Sequence, residues 1–172
     1  CPMVITPHPG EYNRLAQALG LEADPKGDAH REDAAHAMAQ RLGCIVVLKG
    51  RGTVISDGIN CVVNDTGNVA LATAGTGDVL TGMIAGLVSQ WFRPNLGSGS
   101  HQYTAEDQGG LSLFECTRLA VRLHGLAGDL WAEQNGDVGL TALELTRMIP
   151  ATIRATRMNS SDEPSPAPPG AG

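Results

Sequence analysis

The sequence predicts an α/β layered domain, and three observations carry that prediction. Cys44-Ile45-Val46-Val47-Leu48 is a continuous apolar run of strand length, as expected of a strand buried on both faces of a parallel sheet. Ala35, Met38, Ala39 and Leu42 fall at i, i+3, i+4 and i+7, one stripe of an amphipathic helix. Asp57-Gly58 separates two β-prone runs, which is a hairpin signature. Strand, two helices, strand, hairpin and three further helices then stack as layers around one core.

Along the chain, residues 3–6 form a short apolar strand candidate ended by Pro7 and Pro9. Residues 10–19 read as a helix with Tyr12, Leu15, Ala16 and Leu19 on one face. Residues 20–27 are a loop, and Asp28 can cap a helix over 29–42 that Gly43 ends. The run 44–48 is the buried strand. Residues 53–56 and 59–63 form the hairpin. Helix returns over about 76–90, and residues 93–110, rich in Gly, Ser and Asn, read as an exposed loop. A long Ala- and Leu-rich helix covers 111–133, with Gly125 marking a place for a break. Thr141 can cap a last helix to about Arg157. The domain therefore takes in residues 1–157, and 158–172 form a Ser/Pro/Ala-rich tail expected to be disordered. Cys1-Pro2-Met3-Val4-Ile5-Thr6 looks like the interior of a buried strand, so the expectation is a partial sequence.

Composition narrows the function classes. The 172 residues suffice for one domain with a hydrophobic core. Aromatic residues make up only 3% while Gly counts 22, so the core should be aliphatic, with close backbone approaches at glycines. A net charge of −6 argues against a nucleic-acid binder, which needs a basic face. Apolar runs fall well short of a membrane span. Cys1, Cys44, Cys61 and Cys116 contain no CxxC pair, so a zinc site is not expected, and Cys44 and Cys61 read as small core residues. A reducing cytoplasmic setting is the default.

Three loops deserve chemical scrutiny, because ligands gather at the carboxyl ends of strands in such sheets. In Thr73-Ala74-Gly75-Thr76-Gly77-Asp78, Gly75 and Gly77 let the backbone approach an anion, and the following helix aims its N–H groups and dipole at the loop. Asp78 repels phosphate, but it makes sense as a base on a hydroxyl about to attack phosphorus. Otherwise the glycines make a tight turn and Asp78 favours the first helical turn. In Leu48-Lys49-Gly50-Arg51-Gly52-Thr53, Lys49 and the glycines can bring charge and backbone donors to a nucleotide; a tight β-turn with a snorkelling Lys49 is the simpler alternative. In Thr6-Pro7-His8-Pro9-Gly10-Glu11, the prolines stiffen the backbone about His8, which faces a ligand or sits exposed at a rigid corner, and Glu11 favours a helix N-terminus. His124 reads as a packed helix residue with one hydrogen bond. Asp129 and Glu133 read as a solvated acidic pair, and His30, His36 and His101 as surface residues.

Together these segments resemble the ADP/ATP-dependent NAD(P)H-hydrate dehydratases. The resemblance rests on Thr6-Pro7-His8-Pro9-Gly10-Glu11, on Leu48-Lys49-Gly50 with Gly52-Thr53, and on Thr66-Gly67-Asn68 leading into Gly75-Thr76-Gly77-Asp78-Val79-Leu80-Thr81-Gly82. It continues in Leu123-His124-Gly125-Leu126-Ala127-Gly128-Asp129. The four motifs cover about residues 3–150. The resemblance implies the C-terminal part of a ribokinase-like fold, with a mostly parallel sheet, a β-hairpin and flanking helices. It implies ADP- or ATP-dependent dehydration of the S-epimer of NAD(P)HX back to NAD(P)H: the nucleotide phosphorylates the ring hydroxyl, and phosphate leaves as the double bond reforms. Carried over by position, Asp78 is the catalytic base, and His8 and Asp78 contact the hydrate. Gly75, Thr76 and Gly77 form an anion hole. Lys49, Gly50, Arg51, Gly52, Thr53 and Gly77 hold the adenine nucleotide, with Mg²⁺ bridging its phosphates. Expected partners are NAD(P)HX and the nucleotide, with no nucleic acid and no membrane; a homo-oligomer is allowed.

Members of that family carry an upstream half with a Gly-rich segment and several sheet strands, which this sequence lacks, and the 93–110 loop is longer than the usual link. A sheet without those strands exposes apolar edges, so the expectation is that this chain by itself folds poorly, or needs the missing half, and that its activity depends on it. Two other readings remain at this point: a ribokinase-like kinase of a small molecule such as a vitamin precursor, and an inactive fragment that keeps the fold as a binding module.

Overall fold

The computed structural model describes residues 2–21, 30–92 and 110–161. Lys26, Asp28, His101, the 93–109 stretch and the tail beyond Ser161 lie outside the described residues. In chain order the elements are β1 (Val4–Ile5), α1 (Pro9–Leu19), α2 (Arg31–Leu42), β2 (Ile45–Leu48), β3 (Val54–Ser56), β4 (Cys61–Val63), a 3₁₀ turn (Val69–Leu71), α3 (Thr76–Trp91), α4 (Leu113–Asn135) and α5 (Ala142–Ser161).

The sheet order is β1-β2-β3-β4. β1 pairs parallel with β2, with Val4 opposite Ile45, while β2–β3 and β3–β4 are antiparallel. The expected mostly parallel sheet is therefore corrected for the described strands: two of the three pairings, both made by β3, are antiparallel. The hairpin itself forms where Asp57-Gly58 places it. Asp57 Oδ1 accepts the N–H groups of Ile59 (2.8 Å) and Asn60 (2.6 Å), and Gly58 takes φ 85°.

β2 is buried along its whole length. Successive side chains point to opposite faces, so Val46 and Leu48 join a core with Tyr12, Ala35, Met38 and Ala39 from α1 and α2. Ile45 and Val47 join a core with Leu80 and Ile84 of α3 and Ala120 and Val121 of α4. A third cluster of Ala127, Trp131, Leu140 and Leu145 closes α4 against α5. The layered arrangement the sequence predicts is thus met by one strand whose alternation feeds helices on both faces.

Four local features differ from the sequence reading. α2 begins at Arg31, preceded by His30, whose side chain makes no capping bond. α4 runs unbroken through Gly125, which is buried against the 64–67 segment instead of opening the helix. α5 starts with Thr141 and Glu144 bonding each other's backbone N–H, as the sequence suggests, but contains Pro150 and continues past Arg157 to Ser161. His36 is half-buried and bonded, not a free surface residue. It accepts at Nε2 from Gln40 (2.9 Å) and meets the buried Ser56 hydroxyl through Nδ1 (3.3 Å), while Gln40 donates to the Gly58 carbonyl (3.0 Å). That network clamps α2 to the hairpin. Ser56 donates to the Asn60 carbonyl (2.9 Å), so its proton is committed to the turn.

Candidate functional site

The carboxyl ends of the two parallel strands converge. The Lys49 N–H donates to the Pro7 carbonyl at 2.9 Å, joining the segment after β1 to the one after β2. The N-terminus of α3 comes to the same place. Together they border a cleft of about 1530 Å³ whose walls include Thr6, His8, Lys49, Gly67, Gly77 and Asp78. All three loops singled out from the sequence meet there, with Gly50, Arg51, Gly52, Thr53, Gly75 and Thr76 also on its walls.

Gly75 caps α3 with φ 86°, a left-handed conformation natural to glycine, and its carbonyl accepts from the N–H groups of Asp78 and Val79, both at 3.1 Å. Among the described residues the N–H groups of Thr76 and Gly77 find no backbone acceptor. They are the free donors that a helix start offers an anion. The Thr76 hydroxyl is turned inward, bonding the carbonyls of Leu71 (2.8 Å) and Thr73 (2.9 Å), so only the backbone of this residue is left for a ligand. The Asp78 side chain lies exposed on the cleft wall, with no partner among the described residues.

The half-buried Lys49 side chain reaches along the cleft wall. Its Nζ sits 3.9 Å from Glu11 Oε2 and 3.2 Å from where a Cβ on Gly77 would lie, so its charge stands against the α3 loop. The tight-turn backbone of the simpler alternative is also present: Gly50 and Gly52 have φ of 145° and 63°, and Thr53 Oγ1 donates to the Gly50 carbonyl. A residue the sequence did not flag holds this turn. Arg31, buried at the start of α2, donates through Nη2 to the carbonyls of Leu48 (3.0 Å), Lys49 (3.3 Å) and Gly52 (3.5 Å). A buried guanidinium leaves no periodic signature, and it was lost among surface charges.

His8 is the N-cap of α1. Its Nδ1 accepts the N–H groups of Gly10 (3.0 Å) and Glu11 (3.2 Å), while Glu11 Oε2 accepts the His8 N–H (2.7 Å), completing a capping box. An accepting Nδ1 leaves the ring proton on Nε2, 3.4 Å from Glu11 Oε1. The bond from the His8 N–H, and then the charge of Lys49, hold Glu11 below the ordinary carboxylate range. The helix-start role expected of Glu11 is present, and His8 combines a capping role with a place on the cleft wall.

One face of α4 supports the cleft from behind. His124 Nε2 lies 2.9 Å from the Thr76 carbonyl; a carbonyl only accepts, so Nε2 carries the proton. Burial lowers the His124 pKa below its usual value; the Thr76 bond opposes that, and the Lys49 charge adds to it. At Gly125 an added Cβ would fall 2.7 Å from the carbonyl carbon of Thr66, and at Gly128 it would fall 2.7 Å from Leu71 Cγ. Asp129 is corrected from a solvated residue to an anchor: Oδ2 accepts the Gly67 N–H and Oδ1 the Asn68 amide, both at 2.8 Å. Its neighbours gave the signal, since Gly125, Gly128 and Asp129 share the helix face that begins at His124.

Among the described residues no group of three His, Cys, Asp or Glu side chains could hold a metal ion, and no helix is long and apolar enough to cross a membrane.

Comparison with known proteins agrees with this geometry. The sequence model of the NAD(P)H-hydrate dehydratase family matches residues 1–151. A bifunctional NAD(P)H-hydrate repair enzyme of Thermofilum pendens is 40% identical over 158 residues, covering 91% of this chain and 26% of that protein. The ADP-dependent (S)-NAD(P)H-hydrate dehydratase of Bacillus subtilis is 36% identical over 151 residues, covering 87% and 46%. A crystal structure of the Bacillus subtilis ADP/ATP-dependent enzyme, co-crystallised with ATP and Mg²⁺, superposes with a TM-score of 0.70 at 31% identity, over 90% of this chain and 48% of that one. The chain thus spans from a quarter to about half the length of these relatives. Its fold is ribokinase-like. By sequence and by superposition, the chain belongs to the NAD(P)H-hydrate dehydratase family.

Proposed function

We propose that the chain supplies the nucleotide-binding and proton-accepting parts of an ADP- or ATP-dependent dehydratase that returns the S-epimer of hydrated NADH or NADPH to the reduced cofactor. The observation that carries this reading is the meeting of Lys49, the free N–H of Gly77 and the exposed Asp78 at one cleft.

In the proposed reaction the Asp78 carboxylate takes the proton of the ring hydroxyl as that oxygen attacks the terminal phosphorus. The new O–P bond forms as the bridging P–O bond breaks, and the departing nucleotide keeps that electron pair. The backbone donors of Gly75, Thr76 and Gly77 line the place where charge gathers on the transferring group. Lys49 and the turn of Gly50, Arg51, Gly52 and Thr53 hold the nucleotide phosphates. The ring C–O bond then breaks, phosphate leaves with its electron pair, and loss of a proton from the neighbouring ring carbon restores the double bond. His8, on the cleft wall, contacts the hydrate in this reading. Mg²⁺, when bound, offsets phosphate charge. It would be held mainly by phosphate oxygens and water, since the described residues offer no carboxylate cluster of their own. The free thiols of Cys44, Cys61 and Cys116 suit a reducing compartment, and the cytoplasm is the proposed location.

The test is an assay of NADHX with ADP or ATP, run beside a panel of alcohols, on the protein that carries this chain. NADHX turnover is expected, with Asp78→Asn losing on the order of a hundredfold or more in kcat while nucleotide binding persists. Retained dehydration in Asp78→Asn removes that residue from the base role; phosphorylation of an alcohol without NADHX turnover replaces the dehydratase reading with a kinase.

A further inference from the structure

We infer that His124 is a positioning residue for phosphoryl transfer: its Nε2–H holds the Thr76–Gly77 peptide so that the Gly77 N–H is aimed into the cleft as a strengthened donor. This rests on the function proposed above and deepens it. The Thr76 carbonyl and the Gly77 N–H are the two ends of one peptide unit. His124 Nε2 bonds the carbonyl end at 2.9 Å, while the N–H end finds no backbone acceptor among the described residues. In a trans peptide the two groups point in opposite directions, so a donor fixed on the oxygen sets the aim of the N–H. A hydrogen bond to the oxygen also polarises the peptide and makes its N–H a better donor, the more so away from bulk water.

The surroundings make His124 suited to this. It rises from α4, which packs against α3 through Ala120 and Val121 and is pinned to the 67–68 segment by Asp129. Its ring therefore stands on a support separate from the loop it holds. The Thr76 hydroxyl ties the preceding turn to Leu71 and Thr73, and the Thr76 carbonyl, in the first turn of α3, accepts the imidazole N–H. The Lys49 ammonium lies on the cleft side of Gly77. The peptide is thus gripped from behind by a neutral donor and faced in front by a cation, which serves an incoming anion.

The experiment uses the protein that carries this chain, with ¹⁵N labelling. His124→Met keeps the bulk and removes the donor, and His124→Gln places an amide N–H near the Nε2 position. Three readouts are taken: the Gly77 amide proton shift, affinity for ADP by calorimetry, and Tm. We expect His124→Met to move the Gly77 amide proton upfield and to weaken ADP binding roughly tenfold, the scale of one hydrogen bond, and His124→Gln to restore both. A lowered Tm in His124→Met with the Gly77 shift unchanged and affinity within about twofold overturns the inference, since packing alone would do that. If His124→Met does not fold, His124→Gln decides: wild-type shift and affinity uphold the donor role, and loss of both at unchanged Tm overturns it. If wild type binds no ADP, the proposed function falls, while the Gly77 shift still upholds or overturns the peptide contact by itself.

Discussion

Lys49 Nζ lies 3.2 Å from the point where a Cβ on Gly77 would sit. Two residues far apart in sequence thus enclose a space too small for a methyl group and a phosphate oxygen together. Gly77 lies in the first turn of α3, and it is absent from the positive-φ glycines, so alanine meets no backbone strain there. Gly77→Ala is expected to keep its Tm within a few degrees, because helix propensity favours alanine by about 1 kcal/mol, yet to weaken ADP binding at least roughly tenfold. Calorimetric titration beside a melting curve separates the two effects.

Asp129 makes two bonds to the 67–68 segment, and both donors face a carboxylate. Asp129→Ala removes both acceptors and is expected to cost about 1–3 kcal/mol in urea unfolding. Asp129→Asn keeps one carbonyl acceptor and should lose less. Equal losses in the two variants would place the effect in packing.

Gly125 packs α4 against the 64–67 segment, with the Thr66 backbone in the way of any side chain. Gly125→Ala should destabilise by about 1–3 kcal/mol, as overpacking does, against the gain that alanine ordinarily brings to a helix interior. A Tm at or above wild type would show that the segment yields freely.

Glu11, Glu115 and Glu144 each accept a backbone N–H at a helix start. All three are held below the ordinary glutamate value: the His8 N–H is the main cause for Glu11, the Ser112 N–H for Glu115 and the Thr141 hydroxyl for Glu144. A carboxylate with a depressed folded-state pKa contributes stability in full above its unfolded value, and loses it as pH falls through the folded one. The chain should therefore lose stability as pH drops below the ordinary value of 4.5. Glutamine also serves a capping box. The triple Glu→Gln variant should accordingly show a shallower fall over that window in denaturant melts at stepped pH; an unchanged slope would mean that the caps do not drive the acid transition.

Much of the fold was legible because its signals are local. The run from Cys44 to Leu48, the stripe through Met38 and the Asp57-Gly58 turn each need only a few neighbours in sequence. The cleft loops were legible through glycines and prolines that restrict backbone shape. What escaped was set by partners distant in the chain. Arg31 meets carbonyls beyond β2, His36 meets Ser56 across the α2–hairpin junction, and Asp129 meets Gly67. Charged residues on a helix read as solvated unless their tertiary neighbours are known. The direction of the Lys49 side chain was hidden for the same reason, since a strand-end lysine can lie along either side of its turn. The mostly parallel sheet failed because buried apolar runs record burial on two faces and not the direction of the next strand.

The Arg31 guanidinium bears on which way the Lys49–Thr53 turn presents its polarity. A peptide loop carries as many electronegative oxygens as amide hydrogens, and an anion beside it meets whichever the chain turns outward. By drawing the oxygens of Leu48, Lys49 and Gly52 onto one internal cation, the fold takes repelling lone pairs off the surface of the turn and sets a positive charge beneath it. The proposed preference of this wall for negative ligands would thus be laid down in part by a residue on its hidden side, and a search for binding determinants confined to side chains that reach the ligand would pass it over.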